Sequence, residues 1–156
     1  MKHTIDFFRH AIEENGHLAD DERALLFVLP LIQVAWAHGA ISPREALAIF
    51  EIAREDGIDA THWFNEKIDS FLVYQPSLTF FDEALGIIRQ TLSEMTVKKR
   101  EFEIAKLLSR CEKVAASAGD RSPMDVEHRI SAEERRVLDD LRALFSLPIT
   151  ETARIG

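Results

Sequence analysis

Residues 24 to 37 read ALLFVLPLIQVAWA and are apolar apart from Gln33. A helix made from this stretch has no polar face to turn toward water, so it must be enclosed on all sides. It falls short of the roughly 20 apolar residues that span a bilayer, and it contains Pro30. The expectation is therefore a central helix buried by others. Pro30 lacks a backbone N–H and crowds the preceding turn, which predicts a kink near Phe27 to Pro30, or else a break into two shorter helices.

The rest of the chain supplies the shell. Thr4 is the expected cap of a first helix carrying Ile5, Phe8 and Ile12, stopped at Asn15-Gly16. Asp20 and Asp21 stand at the start of the central helix, where acidic groups favour its positive end. Ser42-Pro43-Arg44-Glu45 is a helix start: Ser42 as N-cap, Pro43 at the first helical position, and Glu45 closing a capping box. Ala46, Ile49, Phe50 and Ala53 give that helix its apolar stripe, flanked by Leu47 and Ile52, and Gly57 ends it. Asp59 is read as the cap of a further helix with Trp63, Phe64, Ile68 and Phe71 facing inward. The break Tyr74-Gln75-Pro76-Ser77 precedes a helix bearing Phe81, Ala84, Leu85, Ile88, Leu92 and Met95. Thr96 then caps a long helix carrying Phe102, Ala105, Leu108, Cys111 and Ala115. No stretch alternates with period two over a useful length, so strand is not expected.

Two stretches of the chain match. Ile41-Ser42-Pro43-Arg44-Glu45 aligns with Ile130-Ser131-Ala132-Glu133-Glu134 at an offset of 89 (residues 45 and 134). Both follow an apolar helix that ends in small residues, Ala35 to Gly39 and Ala115 to Gly119. Both lead into an amphipathic helix, the second carrying Val137, Leu138, Leu141, Leu144 and Phe145. The copies differ by an insertion at Asp120 to Glu127. The reading is an all-α, compact single-domain bundle of about seven helices over residues 1–156. It is built from two pseudo-repeated helix–turn–helix halves, roughly 19–58 and 97–147.

An apolar helix, a turn of the form D-G-x-I-S-x-x-E and an amphipathic helix, met twice in one chain, resembles the tellurite-resistance TerB family. That family is in turn similar to a domain of the DjlA co-chaperones. The resemblance covers nearly the whole chain and implies an all-helical fold of about seven helices. It also implies divalent-metal binding by acidic residues of the two turns. Glu45 and Glu134 match the closing glutamate of each turn, and Gly39 and Ser42 match in the first. His38 stands where the family has aspartate, and Glu127 and His128 stand where Asp-Gly would be.

Residue chemistry bears on the metal separately. Asp120, Asp125, Glu127, Glu133 and Glu134 crowd one stretch, with His128 among them. Hard cations want several convergent oxygens, whereas His38, His128 and Glu127 together would suit zinc or another transition ion. The candidate metal residues are therefore His38, Glu45, Asp120, Asp125, Glu127, His128 and Glu134, for at most a weakly bound divalent ion. The competing reading leaves Glu45 and Glu134 occupied as capping partners and the other acids solvated.

Other chemistry is thin. A net charge of −8 argues against a nucleic-acid surface, and the basic run Lys98-Lys99-Arg100 is too short to change that. The lone Cys111 excludes an intrachain disulfide and fits a reducing compartment. No uninterrupted apolar h-region follows the N-terminus, so a cytoplasmic location is expected. There is no phosphate-cradling glycine loop and no nucleophile elbow. His62 and Glu66 lie four apart and are read as a surface hydrogen bond. The chain therefore reads as a non-enzymatic binding or adaptor protein of a bacterial stress-response or envelope-associated system. The alternative is a divalent-metal-binding or metal-sensing protein using the two turns. A protein partner is expected and no nucleic acid; a homodimer and peripheral membrane association stay open.

Overall fold

The computed structural model describes residues 2–117 and 130–149. These form seven helices: α1 Lys2–Asn15, α2 Asp20–Ala35, α3 Pro43–Glu55, α4 Phe64–Val73, α5 Leu78–Ser93, α6 Val97–Ser117 and α7 Ala132–Ser146. There is no strand among the described residues. The all-helical reading of the sequence holds.

The apolar α2 is the centre. It packs against α3, α4, α5, α6 and α7, with Leu25, Leu26, Leu29, Ile32 and Val34 wholly enclosed. It runs unbroken through Pro30, so the alternative of two short helices is not what forms. Burial of the proline itself explains this: packing on every side holds the helix together where one ladder hydrogen bond is missing. Trp36 caps the C-terminal end of α2 and is only partly buried. Its indole N–H donates to the Phe71 carbonyl at 2.8 Å, which ties the end of α2 to α4.

Several faces differ from the spacing-based expectation. Helix α1 begins before Thr4, which is buried inside it and does not cap it. On α3 the inward line is Glu45, Ala48, Ile49, Ile52 and Ala53, with Phe50 partly buried. Leu47 points to solvent. On α6 the inward line is Leu107, Cys111, Val114 and Ala115, and Phe102 lies outside. Trp63 is 59% exposed. Asp59 does not cap α4. Its carboxylate accepts from the Thr61 N–H, the Thr61 hydroxyl and the His62 N–H, which closes a turn before the helix begins at Phe64. His62 meets Asp21 at 3.2 Å and accepts from the Phe64 N–H, so it does not pair with Glu66.

Arginines close the remaining joints. Arg100 donates to the carbonyls of Leu92, Ser93 and Met95 at the end of α5. Arg89 donates to Leu144 O at 2.6 Å and Pro148 O at 3.2 Å, fastening α5 to the end of α7. Arg110 on α6 grips both oxygens of Asp56, the C-cap of α3. Burial works against the Arg110 charge, yet the Asp56 carboxylate and its acidic neighbours hold its pKa above the ordinary value.

Candidate functional site

The two I-S-x-x-E segments both fold as capping boxes. At the start of α3 the Glu45 N–H donates to Ser42 Oγ at 3.2 Å, and the Ser42 N–H donates back to Glu45 Oε1 at 2.9 Å. At the start of α7 the Glu134 N–H donates to Ser131 Oγ and the Ser131 N–H donates to Glu134 Oε1, both at 3.1 Å. Each carboxylate thus uses one oxygen to close its own helix and keeps the other.

The other oxygens are both enclosed. Glu45 is 0% exposed and Glu134 1%, and their side chains lie within hydrogen-bond reach of one another. Neither Oε2 receives a hydrogen bond from any N–H or hydroxyl donor among the described residues. Two buried carboxylates in contact cannot both ionise at ordinary cost: desolvation and mutual repulsion each disfavour the second charge. Burial, with Glu134 alongside, pushes the Glu45 carboxyl from 4.5 up to about 8, against the opposing pull of the Ser42 N–H. A carboxyl on Glu45 that keeps its proton at neutral pH can donate it to the Glu134 side chain. His38, on the turn after α2, stands at the rim. Its Nδ1 is 4.0 Å from Glu134 Oε2, and its side chain is partly open to solvent. That separation is too long for a hydrogen bond but short for a charge contact.

Of the seven candidate metal residues, Glu45, Glu134 and His38 are therefore brought to one place. Asp120, Asp125, Glu127 and His128 lie outside the described residues. No three His, Cys, Asp or Glu side chains converge as a ligand set among the described residues. Two inner carboxylate oxygens fall short of the about six ligands of a hard divalent ion, and the remaining ligands would come from solvent or from groups beyond these three.

No protein-family model, curated protein or solved structure matches this chain.

The capping geometry carries a direct test. Replacing Ser42 or Ser131 by alanine removes the acceptor for an N–H in the first turn of α3 or α7. Each change is expected to cost about 0.5–2 kcal/mol. Thermal unfolding of the two variants reads this, and two unchanged midpoints would show that the caps contribute nothing.

The single thiol of the chain is not part of the site. Cys111 is fully buried and its pKa is pushed up to about 12 by burial, with Arg142 pulling weakly the other way. A thiol in that state is inert. No helix among the described residues is long and apolar enough to cross a membrane.

Proposed function

We propose that this chain is a non-enzymatic, TerB-like binding module whose responsive part is the Glu45–Glu134 pair. The pair holds a proton at low pH and a divalent cation when the proton is lost, and so joins the starts of α3 and α7. One observation carries the reading: the buried Glu45 and Glu134 side chains interact, and each keeps an inner oxygen without a donor. Packed interiors rarely keep such a pair without use for it, because unpartnered buried charge is costly. His38 at the rim favours a transition ion over calcium, since a neutral imidazole is a good ligand for zinc-like ions and a poor one for hard cations.

The experiment is thermal melting with and without calcium, manganese or zinc, at pH 5 and above pH 8, the value to which Glu45 is pushed. The expected result is a cation-dependent rise in melting temperature above pH 8 that fades at pH 5, where protons compete. The rise should vanish in Glu134→Gln. No rise with any of the three ions above pH 8 would rule out the cation arm.

A second reading rests on a different surface. Val73, Tyr74 and Leu78 are exposed around the α4–α5 turn, and clustered apolar exposure marks contact with another molecule. This supports an adaptor role with a protein partner or a second copy. The wider setting, a bacterial stress or envelope-associated system, comes from the TerB resemblance alone.

A further inference from the structure

At the far end of α3 from Glu45, about 16 Å along the helix, a cavity of about 140 Å³ opens between the start of α2, the C-cap of α3 and the middle of α6. Phe27 and Leu107 supply its apolar lining, and Asp20, Arg23, Asp56, Glu103, Lys106 and Arg110 its charged lining. A cavity of about 150 Å³ takes a ring of six heavy atoms, so this one suits a compact small molecule.

The charges on the wall are not equally committed. Arg110 is engaged by both oxygens of Asp56, at 2.6 and 3.2 Å, and by Glu55 at 3.3 Å. Arg23 meets Asp20 at 3.3 Å, but the Asp20 side chain is almost wholly in solvent, where such a pair is worth little. Glu103 differs from both. Its side chain is only 16% exposed, and its nearest cation is Lys106 at 3.8 Å, beyond hydrogen-bonding distance. Its carboxylate is thus held by charge, from Lys106 and from Arg110, with no hydrogen bond from a donor on the chain, and it can accept one from a ligand. The groups not committed to Arg110 and Asp56 are thus two anions, Asp20 and Glu103, and two cations, Arg23 and Lys106, beside the apolar lining.

We infer that this cavity binds a small zwitterion of the α-amino-acid class with a short apolar side chain. The ligand ammonium donates to Glu103, its carboxylate accepts from Arg23 and Lys106, and its side chain rests on Phe27 and Leu107. A ligand with only one of the two charges meets only one sign of the charged lining. Discrimination therefore comes from holding both charges at once. The inference is independent of the carboxylate pair, because no residue is shared between the two sites.

The test is calorimetric titration of the full chain with valine, and with isobutylamine and isovalerate as single-charge analogues. Valine is expected to bind at least about tenfold more tightly than either analogue, the gain of one charge-assisted hydrogen bond. Glu103→Gln should weaken valine by about tenfold while leaving isovalerate unchanged, and Arg23→Gln should do the converse with isobutylamine. Circular dichroism of both variants confirms that they fold. Absence of valine binding up to its solubility limit would overturn the inference. Equal affinity for all three ligands, or unaltered valine affinity in both variants, would overturn it as well.

Discussion

Replacing Ile32 by alanine is expected to destabilise the protein by about 2–5 kcal/mol. Ile32 is wholly enclosed on α2, and α2 is the helix against which α3, α4, α5, α6 and α7 all pack. Truncation forfeits the transfer energy of the lost carbons. It also leaves a void that helices fixed on several sides cannot close. Urea unfolding measures the change. Leu47→Ala serves as the control: Leu47 is equally apolar but faces solvent on α3, and its removal should stay within about 0.5 kcal/mol. Equal losses for the two variants would mean that α2 is not the centre of the bundle.

The second large effect is a dependence on pH of unusual sign. Most acidic groups that matter to stability are held ionised in the fold and are lost on acidification. Glu45 is the reverse. Its carboxyl titrates at 4.5 in the unfolded chain and at about 8 in the fold, through burial first and Glu134 beside it second. Below 4.5 both states hold the proton, and its contribution is fully present. Between 4.5 and 8 the folded state keeps a proton that the unfolded chain has released, so stability falls as pH rises, by up to about 1.4 kcal/mol per pH unit. Asp59 acts in a separate window. Its carboxyl is held below 3.8 by the Thr61 hydroxyl and neighbouring N–H groups, so its effect is confined to more acidic solutions. In Glu45→Gln the amide can still accept from the Ser42 N–H and can donate to Glu134, which mimics the protonated carboxyl. That variant should lose the slope between 4.5 and 8 and exceed the parent in stability above pH 8. Denaturant titrations of both proteins across the range measure the difference. A parent curve that rises with pH where the variant's is flat would contradict the assignment.

Much of the architecture could be read from the chain because its signals are local. Ser42 and Glu45 announce a helix start by their own hydrogen-bonding chemistry, and Ser131 and Glu134 do the same. Gly16 and Gly57 end their helices with positive φ, which other residues avoid. The rotation of each helix about its own axis was less legible. Spacing alone sets Leu47 on the flank of the α3 stripe and Phe102 on the α6 stripe, and it reads Glu45 as a capping partner or metal ligand without showing that it is buried. Apolar residues occupy more than half the circumference of α3 and α6, so several faces fit the pattern equally well. The neighbours decide among them: α6 and α2 press on the side that carries Ala48, Ile52 and Glu45. Trp63 shows the same limit, since an aromatic ring at the end of a turn can cover the surface without entering the core. For the site, the repeated motif pointed to Glu45 and Glu134 as related positions. Nothing in the spacing could reveal that their side chains meet, because that contact spans the chain. Glu103 escaped notice for a different reason: in sequence it is one acid in a charged helix, and only the enclosing cavity sets it apart.

The place of α7 bears on how the chain acquires its structure during synthesis. Helices α1 to α6 leave the ribosome first, and they contain every residue of the core up to Ala115. Leu138, Leu141 and Phe145 arrive last, together with the Glu134 partner of Glu45. Until α7 docks, Glu45 lacks the Glu134 side chain that helps to raise its pKa. Docking of α7 therefore raises the affinity of Glu45 for a proton. Completion of the bundle is therefore a proton-uptake step at neutral pH, and its equilibrium favours the finished fold more in acidic surroundings than in alkaline ones.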